Sequence, residues 1–238
     1  MQTEFARRST ARLLRWLFNA LFALLTVREV EGLEGLPADG PYILATNHLS
    51  IYDPALIYGL IGNECFSGWA AEKWEHHLIF GSILRLGGAI FIQRGQVDRN
   101  ALDKALCWLR QGRIFGIAPE GTRSRTGGLI RGKTGVAYLA HEAGVPILPL
   151  AHSGTEGSIR GIFHFRRQKI RVHFGEAIHL PPADPSQHAA ALRRDTDEVM
   201  CQIAALLPPA YRGVYRDHPR VDEILRAMAA KGEVRSPT

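Results

Sequence analysis

A histidine and an aspartate five positions apart, in Asn47-His48-Leu49-Ser50-Ile51-Tyr52-Asp53, are the residues whose types and spacing most directly suggest chemistry. Side chains on one helix meet at three or four positions, so a helix would keep this pair apart. The apolar run Tyr42 to Thr46 ends just before His48, however. Asp53-Pro54 then has the form of a helix start, with Asp as N-cap and Pro at the first helical position. A strand–loop–helix corner turns the chain back and lets the carboxylate reach the imidazole. Held on one ring nitrogen, a carboxylate fixes the tautomer and stabilises the imidazolium, and the other nitrogen can take a proton from a hydroxyl. General base catalysis of this kind contributes about 10²–10⁴-fold. No serine or cysteine nucleophile is required when the substrate brings its own hydroxyl. Taken singly, the two residues also read as a loop histidine and a helix cap.

Two further segments look like a bed for a phosphate. Gly88-Ala89-Ile90-Phe91-Ile92-Gln93-Arg94 is an apolar run ending in an arginine, and Ala118-Pro119-Glu120-Gly121-Thr122-Arg123-Ser124 is a run end followed by a tight polar loop. The planar fork of Arg94 or Arg123 suits a phosphate bound through parallel hydrogen bonds. Gly121 lets the backbone approach a ligand, Thr122 adds a donor, and Lys133 supplies another cation before a helix. Glu120 cannot hold a phosphate, and is expected to orient an arginine or accept from a substrate hydroxyl. With 29 Lys and Arg in the chain, surface salt bridges account for these charges equally well.

The elements that must position these residues alternate. Strands are expected at Tyr42 to Thr46, Ala89 to Ile92, Ile114 to Ala118, Pro146 to Leu150 and Lys169 to Phe174. Helices are expected at Pro54 to Leu60, Arg99 to Arg110 (with Asp98 as N-cap), Gly135 to Glu142, Pro185 to Leu207 and Arg220 to Lys231. Such alternation implies an α/β domain around a mostly parallel sheet, in which ligands gather at the carboxyl ends of the strands.

Ala6 to Thr26 reads as one more helix. Arg8, Arg12, Arg15, Asn19 and Thr26 form a narrow polar stripe, and Leu14, Leu17, Phe18, Leu21, Phe22 and Leu25 cover the rest. The uncharged run Trp16 to Val27 is short of the roughly 20 apolar residues of a membrane span. No small-residue cleavage site follows it, as a signal peptide would have. An amphipathic helix lying in a membrane interface fits best, with arginines towards anionic headgroups; the alternative is a helix packed on the protein's own core, and both hold if one face does each job.

The 238 residues, 46% of them hydrophobic and 22% charged, suit a globular domain. A net charge of +6 favours a polyanionic partner, but no zinc-finger, homeodomain or aromatic-and-basic strand pattern points to nucleic acid. Cys65, Cys107 and Cys201 are odd in number and widely spaced, which indicates neither a metal site nor a disulfide framework. No GxSxG elbow surrounds Ser153, so a hydrolase with a serine nucleophile has no support.

Taken together, these segments resemble the glycerolipid acyltransferase family, and within it the bacterial 1-acylglycerol-3-phosphate acyltransferases. Four blocks match in order: the NHxxxxD box from Asn47 to Asp53, with Ser50 inside it; Gly88 to Arg94; Pro119 to Ser124; and Val145 to Pro149. Gln93 stands where the family often has an acidic residue, and Ala118 where it often has Phe. The resemblance implies a mostly parallel sheet flanked by helices over residues 29–180, an interfacial helix over 1–28, and C-terminal helices with a frayed tail over 181–238. It implies transfer of an acyl group from acyl-CoA or acyl-carrier protein to the sn-2 hydroxyl of 1-acylglycerol 3-phosphate (lysophosphatidic acid), giving phosphatidic acid without an acyl-enzyme. His48 and Asp53 would be catalytic. Arg94, Glu120, Gly121, Thr122, Arg123 and Lys133 would contact substrate, and Asn47, Ser50, Pro119 and Pro146 would support them. No metal or other cofactor is implied, and the expected location is the cytoplasmic face of the membrane, against anionic phospholipid. Glycerol 3-phosphate or another lysophospholipid as acceptor, or a non-catalytic lipid-binding role, are the competing expectations.

Overall fold

Runs of β-branched and aromatic residues alternate along this chain with amphipathic helical stretches, and they assemble into a seven-stranded sheet with helices on both faces. The computed structural model describes residues 2–61, 65–93, 95, 97–156, 167–182 and 187–232. The strands are β1 (Thr26–Glu31), β2 (Tyr42–Thr46), β3 (Phe66–Ala71), β4 (Ile90–Ile92), β5 (Ile114–Ile117), β6 (Ile147–Ser153) and β7 (Gln168–Phe174). Their order is β1-β7-β6-β2-β5-β3-β4, and all neighbours are parallel except β6 and β7. The described helices of at least one α-turn are α1 (Gln2–Leu25), α2 (Asp53–Ile61), α3 (Phe80–Leu86), α4 (Arg99–Arg110), α5 (Gly135–Ala143), α6 (His188–Leu206) and α7 (Pro219–Ala230).

The period-2 geometry of a strand sends successive side chains to opposite faces. Ile43, Ala45, Phe115, Ile117, Ile147 and Ala151 therefore join the core under α4, α5, α6 and α7. Tyr42, Leu44, Ile114, Leu148 and Leu150 face the other way, onto α2 and the Phe22 end of α1. Strands buried on both faces read as continuous apolar runs, which is why β2, β5 and β6 are plain in the sequence.

The expected mostly parallel α/β sheet is present. Helix α4 has the anticipated bounds, and Asp98 caps it by accepting from the Ala101 N–H at 3.0 Å. Three elements escape the pattern. Strand β1, Thr-Val-Arg-Glu-Val-Glu, lies at the sheet edge against β7, where Glu29 pairs with Lys169 at 2.7 Å and Arg171 at 3.0 Å. Its alternating charges suit a half-exposed edge and give no apolar run to detect. The short α3 was also missed, as was β3, whose Ser-Gly interior weakens the strand signal. Thr26, expected in the first helix, begins β1, and its hydroxyl donates to the Phe22 carbonyl at 2.6 Å. The boundary expected between residues 28 and 29 thus falls inside a strand. The tail from residue 233 lies outside the described residues.

Helix α1 also turns its stripe the other way from expectation. Arg15 donates to the Leu60 carbonyl at 2.9 Å, and Asn19 donates to the Gly59 carbonyl, so these polar side chains face the end of α2. The last carbonyls of a helix lack internal partners and carry the negative end of its dipole, which makes this a favourable place for a guanidinium. Ala11, Leu14 and Phe22 are buried with them, while Leu13, Trp16, Leu17, Leu21 and Leu24 face outward, Leu24 with 72% of its surface exposed. No described helix is long and apolar enough to cross a membrane.

Candidate active site

The parallel strands β2, β3, β4, β5 and β6 all point their carboxyl ends to one side, and the chemistry-bearing loops collect there. A cavity of about 1000 Å³ opens among them. His48 and Asp53 line it together with Gln93, Pro119, Gly121 and Lys133, and an apolar wall follows from Leu44, Ile57, Phe66, Trp69 and Ile117. Gly68 and Gly116, paired across β3 and β5, also line it; a Cβ at Gly116 would come within 2.8 Å of the Phe66 ring, so the glycine lets that ring lie against β5.

The corner after β2 does what its sequence requires. Asp53 opens α2, and its Oδ2 accepts from Nδ1 of His48 at 2.8 Å and from the Leu49 and Ser50 N–H groups at 2.7 Å each. The loop is thereby folded back so that the imidazole and the carboxylate, five positions apart, touch. Asp53 is only 2% exposed, and His48 13%. Burial would raise the Asp53 pKa. The His152 ring, the hydrogen bond from His48 and the Ser50 N–H together outweigh it and hold the group below the usual carboxylate range.

Glu120 departs from its expected role. It is 1% exposed and turned inward, its Oε1 accepting from the His48 N–H at 2.8 Å and its Oε2 from the Ile130 N–H at 3.1 Å. Both oxygens are thus engaged with backbone, and among the described residues no arginine is hydrogen-bonded to it. Burial pushes its carboxyl up to about 7, against the two N–H donors and with the help of the Asp53 charge. The same loop returns a second bond, from the Ser124 N–H to the His48 carbonyl at 2.8 Å. The third block is therefore a brace that fixes the backbone of His48 from both sides.

The other expected site residues divide. Gly121 has φ +68°, a left-handed conformation that suits glycine, and a Cβ built there would come within 3.0 to 3.1 Å of the Lys133 side chain. The absence of that carbon lets the Lys133 ammonium lie over the loop at the cavity wall. Lys133 also ties itself to the loop through its N–H, which donates to the Pro119 carbonyl at 2.8 Å. Thr122 and Arg123 are exposed and are not among the lining residues. Arg94 lies outside the described residues. Asn47 and Ser50 are buried supports of the corner. Pro146 sits at the opposite end of the sheet, its carbonyl accepting from the Ile43 N–H at 3.0 Å, so it supports strand pairing instead of the site.

Two lining or neighbouring residues escaped the sequence reading. Arg99 joins Lys133 as a cation on the cavity wall, from the first turn of α4. His152, on β6, stands 3.6 Å from the Asp53 carboxylate. Its position near the carboxyl end of a strand, shortly after the fourth block, was the available signal. Among the described residues no group of three or more His, Cys, Asp or Glu is arranged to hold a metal ion.

Comparison with known proteins places this geometry in context. A family model described as Acyltransferase matches residues 27–153. A 1-acyl-sn-glycerol-3-phosphate acyltransferase of Bacillus subtilis is 27% identical over 173 residues, 68% of this chain and 80% of that protein. The protein of that description from Escherichia coli is 35% identical over 155 residues, 63% of this chain and 59% of its own length. The crystal structure of the 1-acyl-sn-glycerophosphate (LPA) acyltransferase PlsC from Thermotoga maritima superposes with a TM-score of 0.65 at 27% identity, covering 83% of this chain and 79% of that one.

Proposed function

Since the chain belongs to the acyltransferase family, we propose that it transfers a fatty acyl group from the thioester of acyl-CoA or acyl-carrier protein to the sn-2 hydroxyl of 1-acylglycerol 3-phosphate. The observation that carries this reading is the 2.8 Å contact between His48 Nδ1 and Asp53, on the wall of a largely apolar cavity that Lys133 and Arg99 also line. With Nδ1 held by the carboxylate, Nε2 is the ring nitrogen left for an acceptor hydroxyl. His48 takes the hydroxyl proton as the oxygen attacks the thioester carbonyl. The tetrahedral adduct then collapses with cleavage of the C–S bond, and the proton passes to the leaving thiolate. Imidazolium formed midway is stabilised by the adjacent Asp53 charge.

Direct transfer without an acyl-enzyme fits the wall of the cavity, whose described lining includes neither Ser nor Cys. Lys133 over Gly121 is suited to the acceptor phosphate, with Arg94 and Arg123 as the arginines that the family resemblance adds. The acyl chain would lie along Leu44, Ile57, Phe66 and Trp69. The outward apolar face of α1, Leu13, Trp16, Leu17, Leu21 and Leu24, would rest in the acyl boundary of the cytoplasmic leaflet. A lipid acceptor could then enter without leaving the bilayer.

The test is an assay of lysophosphatidic acid with each thioester donor, beside the His48→Ala variant. Phosphatidic acid should form, and the variant should lose roughly 10³-fold or more in turnover, by analogy with other excised bases. Acylation of glycerol 3-phosphate but not lysophosphatidic acid would overturn the acceptor. Undiminished turnover in the variant would overturn the base.

A further inference from the structure

Asp53 meets a second imidazole. His152 is completely buried, and its Nε2 lies 2.9 Å from the Asn47 carbonyl and 3.6 Å from Asp53 Oδ2. A carbonyl oxygen can only accept, so Nε2 carries the proton. Its Nδ1 is buried with no hydrogen-bond partner among the described residues. A second ring proton would sit there without an acceptor. The backbone of His152 is locked to the same neighbour: its N–H donates to Asn47 Oδ1 at 2.9 Å, and its carbonyl accepts from Asn47 Nδ2 at 2.8 Å. Three hydrogen bonds thus fasten the residue before His48 to His152, and the same Nε2–H also lies 3.6 Å from the carboxylate that holds His48.

We propose that His152 is a positioning residue of the acyl transfer, whose Nε2–H fixes the Asn47–His48 strand end and draws negative charge from Asp53, so setting how readily His48 takes a proton. This rests on the reading of His48 as the base. The sign follows from the shared oxygen. Oδ2 already accepts from His48, Leu49 and Ser50. A further N–H dipole 3.6 Å away lowers the negative potential that an imidazolium at His48 would feel. Removing that dipole makes His48 easier to protonate. Among the described residues, the other ionisable groups around the pair are Glu120 behind the His48 backbone, and Asp98, Arg99, Asp103, Lys133 and Tyr138 across the cavity. From α2 only Asp53 faces the pair, and β7 sets Val172 opposite His152.

Two substitutions separate the dipole from the bulk. His152→Gln keeps an amide N–H near the place of Nε2, whereas His152→Asn puts its amide near Nδ1 and leaves the Asn47 carbonyl and Asp53 without that donor. The readouts are the pH profile of kcat/KM with lysophosphatidic acid and the NMR titration of the His48 ring, which needs no substrate. In His152→Asn the His48 midpoint and the acid limb should move up by about half a pH unit, roughly threefold in proton affinity. In His152→Gln both should stay where the unmodified protein has them. Coincident midpoints in all three proteins, or equal shifts in both variants, overturn the proposal, as does a loss of activity that is uniform across pH. If His152→Asn does not fold, His152→Met, which fills the space without a donor, takes its place. Failure of the unmodified protein to acylate lysophosphatidic acid would sink the acceptor assignment, while the NMR titration would still decide His152.

Discussion

Replacing Asp53 by Asn removes one charge and almost nothing else. Oδ1 has no hydrogen-bond partner among the described residues, and Oδ2 accepts three N–H groups. An asparagine can therefore place its carbonyl at Oδ2 and its amide at Oδ1, keeping the loop, the His48 tautomer and all three bonds. What it loses is the attraction between a carboxylate and an imidazolium at 2.8 Å. At an effective dielectric of about 20 that attraction is about 6 kcal/mol. A neutral hydrogen bond retains roughly half the strength of a charge-assisted one. The missing part is thus about 3 kcal/mol of transition-state stabilisation, or about 10²-fold in rate. The expected result is a drop of that size in kcat/KM for lysophosphatidic acid at saturating thioester. The amide at Oδ1 would be buried without an acceptor, so stability should also fall, by about 1–3 kcal/mol in a denaturant titration. A folded Asp53→Asn protein with activity within threefold of the unmodified one would refute the idea that this charge stabilises imidazolium.

Glu120→Gln should lose one of the two backbone bonds, because an amide nitrogen would face an N–H, and unfolding should show a cost of about 1–3 kcal/mol. The carboxyl, raised by burial from 4.5 to about 7, takes up a proton on folding between those values. Its contribution to stability therefore declines as pH rises through that window and levels off above it. Chemical denaturation at pH 5 and pH 8 should show that decline in the unmodified protein and a smaller one in the variant; equal slopes would contradict the inward placement. Leu17→Glu combined with Leu24→Glu alters two outward side chains of α1 and should leave the melting temperature alone. Each should weaken binding to anionic vesicles by about 1.5–3 kcal/mol, the pair by at least about 10²-fold, and unchanged co-sedimentation would remove α1 from the membrane. Burial first, then Glu198 and Asp197, push the Cys201 thiol up to about 12. A disulfide reagent at pH 8 should label exposed Cys107 in the folded protein and Cys201 only after unfolding.

Sequence alone settled what depends on neighbours a few residues away. The buried strands β2, β5 and β6 announce themselves as apolar runs. Asp98 and Asp53 announce themselves as helix starts because capping acts within one turn. The contact between His48 and Asp53 was likewise within reach, since both residues belong to one corner. What lay beyond that range was decided by the order of strands. His152 reaches Asp53 because β6 lies beside β2, which joins residues 105 apart in the chain. Glu120 was expected to orient an arginine or accept from a substrate hydroxyl, and its carboxylate type gave no sign of a backbone brace. The loop after β5 passes behind β2, and the two N–H groups waiting there set its role. Helix α1 gave its two faces away but not their direction. The carbonyls at the end of α2 took the Arg15 and Asn19 side chains, Leu14 and Phe22 were buried, and Leu13, Leu17, Leu21 and Leu24 were left outside. Patterns of hydropathy and capping are local free energies, whereas facing is set by which distant groups the packed sheet leaves unsatisfied.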